Sequence, residues 1–160
     1  MGEIVGSALV AHVPPLVLPE DVRRELNHGK DFSIVEGLHR MRRERIDPLQ
    51  PDTIIVLDTH WFTTFEWVVA AHERRSGKFT SEELPRGNPQ MPYDIPGDPQ
   101  LANLIAEVAA ERTDTWVTAN DDPYLPIRYA TVYLTPFLQR SEKWVSISTC
   151  QTAEYDDIVK

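Results

Sequence analysis

At 160 residues the chain is long enough for one domain with a buried core and too short for two ordinary ones, and its 41% hydrophobic and 26% charged shares are those of a water-soluble globular protein. Twenty-five acidic against 16 basic side chains give a net charge of −9 with no uninterrupted basic block. That argues against nucleic acid or an anionic membrane as partner, since both are held by clustered Lys and Arg. The single cysteine, Cys150, excludes an internal disulfide and fits a reducing compartment.

The first apolar run, residues 4–11, reads as a strand buried on both faces because it does not alternate apolar with polar. It ends at His12, before Val13-Pro14-Pro15. The pattern predicts a helix over 31–45, with Ile34, Leu38 and Met41 at i, i+4 and i+7. Arg40, Arg42, Arg43 and Arg45, mixed with Glu36 and Glu44, form its wet face, His39 is read as solvated, and Pro48 and Pro51 stop it. A second strand, 53–57, leads into Asp58-Thr59-His60-Trp61, and 65–71 reads as a third, followed by a solvated His72. Residues 74–99 are polar, rich in Pro and Gly and without a clear period, so they read as a long functional or mobile loop. Asp98 then caps a helix with Pro99 at its first position and Leu101, Leu104, Ile105 and Val108 on its buried face. A short strand over 116–119, a turn at 120–123, an apolar segment of mixed character over 124–138 and a last strand over 143–149 follow, with Cys150 read as a buried thiol. From Glu154 the chain looks like the first turn of a helix.

Strands alternating with helices predict an α/β fold: a single domain, 1–160, with a central mostly β-sheet core flanked by helices. The chain stops at Lys160, where a helix begins after a core strand, so the fold is expected to be incomplete at its C-terminus. There is no repeat, linker or low-complexity tract, no signal-like opening and no apolar run of membrane-spanning length, which reads as cytoplasmic. Glycine-rich phosphate loops, Cys-x-x-Cys, His-Glu-x-x-His and Gly-x-Ser-x-Gly are all absent.

His12 and His60 each follow a strand-like run, and ligands of open α/β sheets bind in the crevice beyond the carboxyl ends of the strands. Two imidazoles delivered there can share one metal ion. Spacing alone equally allows two loop-edge histidines that cap strand ends.

Taken together, Ala11-His12-Val13-Pro14-Pro15 and Asp52-Thr53-Ile54-Ile55-Val56-Leu57-Asp58-Thr59-His60-Trp61 resemble the class III extradiol ring-cleavage dioxygenases, most closely the 3,4-dihydroxyphenylacetate 2,3-dioxygenase branch. Phe79-Thr80-Ser81-Glu82-Glu83-Leu84-Pro85, Tyr129-Ala130-Thr131-Val132 and Val145-Ser146-Ile147-Ser148 continue the resemblance, which covers nearly all of this chain but only about the N-terminal half of a typical family member. The resemblance implies a non-haem Fe(II), with Mn(II) as the lesser choice, held by two histidines and one glutamate in a facial set that leaves positions open for substrate and dioxygen. It carries the histidine roles onto His12 and His60. The family's glutamate and a further histidine lie downstream of Lys160. Glu154, Asp156 and Asp157 sit in the wrong segment and suit a helix N-terminus instead.

Asn120 aligns with another active-site histidine of the family; as an asparagine it can donate a hydrogen bond but not shuttle a proton, and it equally suits a turn before Pro123. Substrate contacts are expected from His28, Trp61 and Tyr129, although His28 also suits an ordinary turn and the other two suit packing. Asp58 is expected to orient His60 from behind, as carboxylates do for metal-bound imidazoles. The function implied is extradiol cleavage of a small aromatic diol or aminophenol by dioxygen, in a complete or partnered form. The alternatives are a non-catalytic companion or truncated subunit and, more remotely, a zinc hydrolase on the same histidines. A half-finished sheet would also expose an edge that invites a homo-oligomer or a partner subunit.

Overall fold

A computed structural model describes residues 2–82, 84–87, 90–112 and 116–159. Helices α1 (Glu20–Leu26) and α2 (Ser33–Met41) precede strands β1 (Thr53–Thr63), β2 (Trp67–Ala70), β3 (Arg74–Phe79) and β4 (Met91–Pro96). Helix α3 (Pro99–Ala110), strand β5 (Val117–Asn120), helix α4 (Tyr129–Leu138), strand β6 (Lys143–Cys150) and helix α5 (Tyr155–Val159) complete the order. The fold is α/β, one domain around a mixed four-stranded sheet in the order β1-β6-β2-β5, with β3 and β4 forming a separate antiparallel hairpin. β1 runs parallel to β6 and β2 parallel to β5, while β2 and β6 meet antiparallel.

Each face of the sheet has its own core. Ala102 of α3 packs on Val69 and Val145, with Leu101 and Ile105 beside it. On the other face the almost wholly apolar α4 buries Val132, Tyr133, Phe137 and Leu138 against Val35 and Leu38 of α2, Leu16 and Trp144. The α3 start is as expected: the Asp98 carboxylate accepts the Leu101 N–H at 3.2 Å, and Pro99 loses no needed donor. Gly97 is obligatory, because a Cβ there would lie 1.9 Å from the His72 carbonyl oxygen.

Several expectations need correction. Residues 4–11 form no strand, and Ile4, Val5 and Leu9 are exposed. Gly6 lies against Leu49, just before β1, and His12 against His60 near its far end, but the segment joins no ladder. Residues 74–99 are no continuous loop: β3 and β4 pair from Arg74↔Pro96 to Phe79↔Met91. β3 is polar and mostly exposed, and Pro92 and Pro96 mask β4, whose Met91, Tyr93 and Ile95 alternate inward onto the core; Arg74 pairs with Asp94 across the hairpin.

The 31–45 helix ends at Met41 and widens into a π turn, Arg42–Ile46. Arg42, read as wet, is buried, with Nε on Asp47 at 2.6 Å, Nη1 on the Leu138 carbonyl at 2.8 Å and Nη2 on Glu142. Burial works against the Glu142 carboxylate, but hydrogen bonds from Arg42 and backbone N–H groups prevail and hold its pKa below the usual value. His39 packs on Phe137, and His72 sets Nε2 on the Asp122 carbonyl at 2.8 Å. Leu104 and Val108, expected in the buried face of α3, are exposed, because α3 lies over β2 and β5 and reaches the sheet through Leu101, Ala102 and Ile105. On β1, beyond its reach, Ile55 and Leu57 are exposed too.

Candidate metal centre

His60 reaches the site through a break in β1. The register with β6 passes from Leu57↔Ile147 to Phe62↔Thr149, so the four residues Asp58 to Trp61 of β1 stand against the single Ser148 of β6 and bulge out of the ladder. Asp58, wholly buried, holds the bulge from inside. Its carboxylate accepts the His60 backbone N–H at 3.0 Å and the Thr131 hydroxyl at 3.2 Å, and its carbonyl accepts the Thr149 hydroxyl at 3.2 Å. Thr131 in turn shares a 2.9 Å hydrogen bond with Ser146. Asp58 therefore acts on the backbone of His60, not on its ring, where the carboxylate–imidazole pattern would put it.

The His12 ring stands edge-on to the His60 ring, centres 4.8 Å apart and planes at 83°. Tyr129, the first residue of α4, sets its hydroxyl 2.5 Å from His60 Nδ1, with ring centres 4.3 Å apart. Together with Leu9, Val10, Ala11, Val13 and Pro14, these three side chains line an open cleft of about 540 Å³. Its walls are apolar and its chemistry-bearing groups are gathered at one side, as in small-molecule sites generally.

The other sequence candidates lie elsewhere. Trp61 is buried with Val68, Ala70 and Leu125 and does not line the cleft. His28 is exposed at φ 55° in the turn after α1, followed by Gly29 at φ 85°. Asn120 ends β5, where its side-chain oxygen accepts the Asp122 N–H at 2.8 Å, the turn role its sequence context also allowed. Sequence reasoning missed the apolar walls flanking His12, although their adjacency to it was a usable signal. It also missed Phe79 and Tyr133 as the rings that pack on Tyr129, which no local pattern announces.

Two imidazoles bound to one divalent ion through nitrogens about 2.1 Å away have ring centres roughly 4.5–5 Å apart, so the observed spacing fits a shared ion. The donor set is partial. Among the described residues no group of three or more His, Cys, Asp and Glu is placed to hold a metal. Glu154, Asp156 and Asp157 stand at α5, where the Asp157 carboxylate accepts the Glu154 N–H at 2.8 Å. Among the described residues no helix is long and apolar enough to cross a membrane.

An α/β sheet with two histidines meeting at the carboxyl end of a strand, over an apolar cleft, defines a class of small-molecule site. Residues 6–123 match the family described as the catalytic LigB subunit of aromatic ring-opening dioxygenase, and the chain belongs to that family. It is also similar to the 3,4-dihydroxyphenylacetate 2,3-dioxygenase of Escherichia coli, 31% identical over 160 positions that take in 98% of this chain and 56% of the relative. The chain thus spans little more than half the length of that curated relative.

Proposed function

We propose that this chain supplies the two-histidine side of a non-haem Fe(II) centre in an extradiol dioxygenase. In its complete or partnered form, the enzyme would cleave a small catechol-type or aminophenol-type ring beside its hydroxyl. The observation that carries the reading is the meeting of His12 and His60, from segments 48 residues apart, at the mouth of one apolar cleft.

His12 and His60 would hold the ion as neutral donors, the ligand type that suits divalent iron, with Mn(II) the lesser alternative. Ferrous iron held there would supply Lewis acidity and a common template for ring and dioxygen. The remaining work falls to the protein. Val10, Val13 and Pro14 offer the ring an apolar bed, Tyr129 keeps a polar atom at the histidines, and the Asp58 bulge holds His60 toward the cleft. The single free thiol of Cys150 and the ferrous state both suit the reducing cytoplasm.

The lack of a third donor among the described residues favours a second reading, a non-catalytic companion subunit of the same family. Both readings expect association. β1 is an edge strand eleven residues long that exposes Ile55, Leu57 and Phe62, the kind of edge proteins normally cover.

Two measurements test the proposal. The 160-residue chain alone is expected to bind Fe(II) weakly under anaerobic conditions and to form little ring-opened product; steady turnover by it would show that a third ligand has been overlooked. In a longer or partnered form that turns over, His60→Ala is expected to abolish ring cleavage with the far-UV circular dichroism unchanged. Retention of a tenth or more of the wild-type rate would refute the assignment of His60.

A further inference from the structure

We infer that Tyr129 is a positioning residue for His60: its hydroxyl oxygen accepts the Nδ1–H of the imidazole and so leaves Nε2 as the atom offered to a metal. This rests on the reading of His12 and His60 as metal donors and names a task for Tyr129 other than contact with substrate.

The geometry carries the inference. Tyr129 Oη lies 2.5 Å from His60 Nδ1, a direct hydrogen bond. A neutral imidazole carries one N–H and one lone pair, so whichever nitrogen is tied up as a donor fixes the other as the available base. A metal needs the lone pair. With Nδ1 engaged by Tyr129, Nε2 is the nitrogen left for an ion, and an ion there puts the ring proton on Nδ1 and makes the hydroxyl oxygen its acceptor. Metal-bound histidines almost always give their second nitrogen such an acceptor, which sets both tautomer and ring orientation.

The carboxylate that might have served, Asp58, is spent on the His60 backbone N–H and on Thr131. Backbone and ring of His60 are therefore fixed by two different residues, one from its own strand and one from α4. Tyr129 is itself held firmly: it is buried, its ring packs on Tyr133 with centres 5.4 Å apart, and Phe79 stands 6.4 Å away on the hairpin. A buried ring at the first turn of a helix cannot swing far, so its hydroxyl is a fixed reference against which the imidazole is aligned.

The test uses the full chain with Zn(II) as a diamagnetic probe. Two-bond ¹H–¹⁵N correlation spectra report which ring nitrogen of each histidine is protonated or metal-bound, and a competing chelator reports affinity. In the wild-type protein His60 is expected to bind Zn(II) through Nε2 with Nδ1 protonated. Tyr129→Phe keeps the ring packing and removes only the hydroxyl. It is expected to weaken Zn(II) binding by about 10–100-fold, the usual cost of losing such a partner, and to let His60 bind through either nitrogen.

Binding through Nδ1 in the wild-type chain would overturn the inference without any variant. So would a Tyr129→Phe protein with unchanged affinity and unchanged binding atom, while His12→Ala and His60→Ala each lose Zn(II). If those two histidine variants bind as tightly as wild type, the metal-centre reading itself falls, and the inference with it.

Discussion

Asp58 offers the sharpest test of how the fold builds the site, because one buried carboxylate secures both the β1 bulge and the backbone of His60. Asp58→Ala removes its hydrogen bonds from the His60 N–H at 3.0 Å and the Thr131 hydroxyl at 3.2 Å. Two hydrogen bonds to a carboxylate contribute about 3–6 kcal/mol together. Part of this is offset, because the variant no longer keeps a carboxylate out of water, and the net loss expected is about 2–4 kcal/mol. For a chain of this size that corresponds to a fall in Tm of roughly 5–15 °C.

Asp58→Asn retains an oxygen for the His60 N–H and turns an amide N–H toward Thr131, whose hydroxyl can accept, so its cost is expected to stay below about 1 kcal/mol. Urea unfolding followed by far-UV circular dichroism gives both values, and Zn(II) affinity, compared below the unfolding transition, reads the aim of His60. Asp58→Ala is expected to weaken the metal even where the protein is fully folded. An alanine variant within 0.5 kcal/mol of wild type, or an asparagine variant as damaged as the alanine one, would refute the role given to the carboxylate.

The buried Arg42–Glu142 pair predicts a second loss. Glu142→Gln leaves a buried guanidinium that keeps Asp47 and the Leu138 carbonyl, so the cost should fall near the low end of the range for broken buried pairs, about 3 kcal/mol by urea unfolding. A change below 1 kcal/mol would show that Asp47 alone suffices. A pH dependence follows from Asp31, whose carboxyl the Arg23 guanidinium holds down from 3.8 to about 2 by hydrogen bonding at 2.7 and 2.8 Å. Because the folded value is depressed, this contribution is present in full above the usual carboxylate range and disappears as the pH falls from about 4 through about 2. The stability gap between wild type and Asp31→Asn should shrink over that window; a gap at pH 2 undiminished from its neutral-pH value would disprove the linkage.

How much of this was legible in the residues follows from which interactions are local. The α3 start was readable at Asp98-Pro99 because a cap and its helix lie within four residues. His12 and His60 stood out because an apolar run that ends in a histidine is itself a local pattern, and their motifs carried the family. The β3–β4 hairpin was missed because β3 is mostly polar and Pro92 and Pro96 disguise β4, whose Met91, Tyr93 and Ile95 nonetheless alternate inward against the core. Residues 4–11 misled for the converse reason: an apolar run has the composition of a strand, but a strand exists only where a neighbour accepts its hydrogen bonds.

Only the tertiary structure decided what secures His60. Asp58, Thr131 and Ser146 meet across 73 and 15 residues of chain, and Tyr129 reaches the His60 ring across 69. Residue types determine which groups can bind a metal or donate a proton. Packing α4 against β1 sets the Tyr129 hydroxyl on Nδ1 of His60, because contacts between distant segments arise from the closure of the core and leave no period in the sequence.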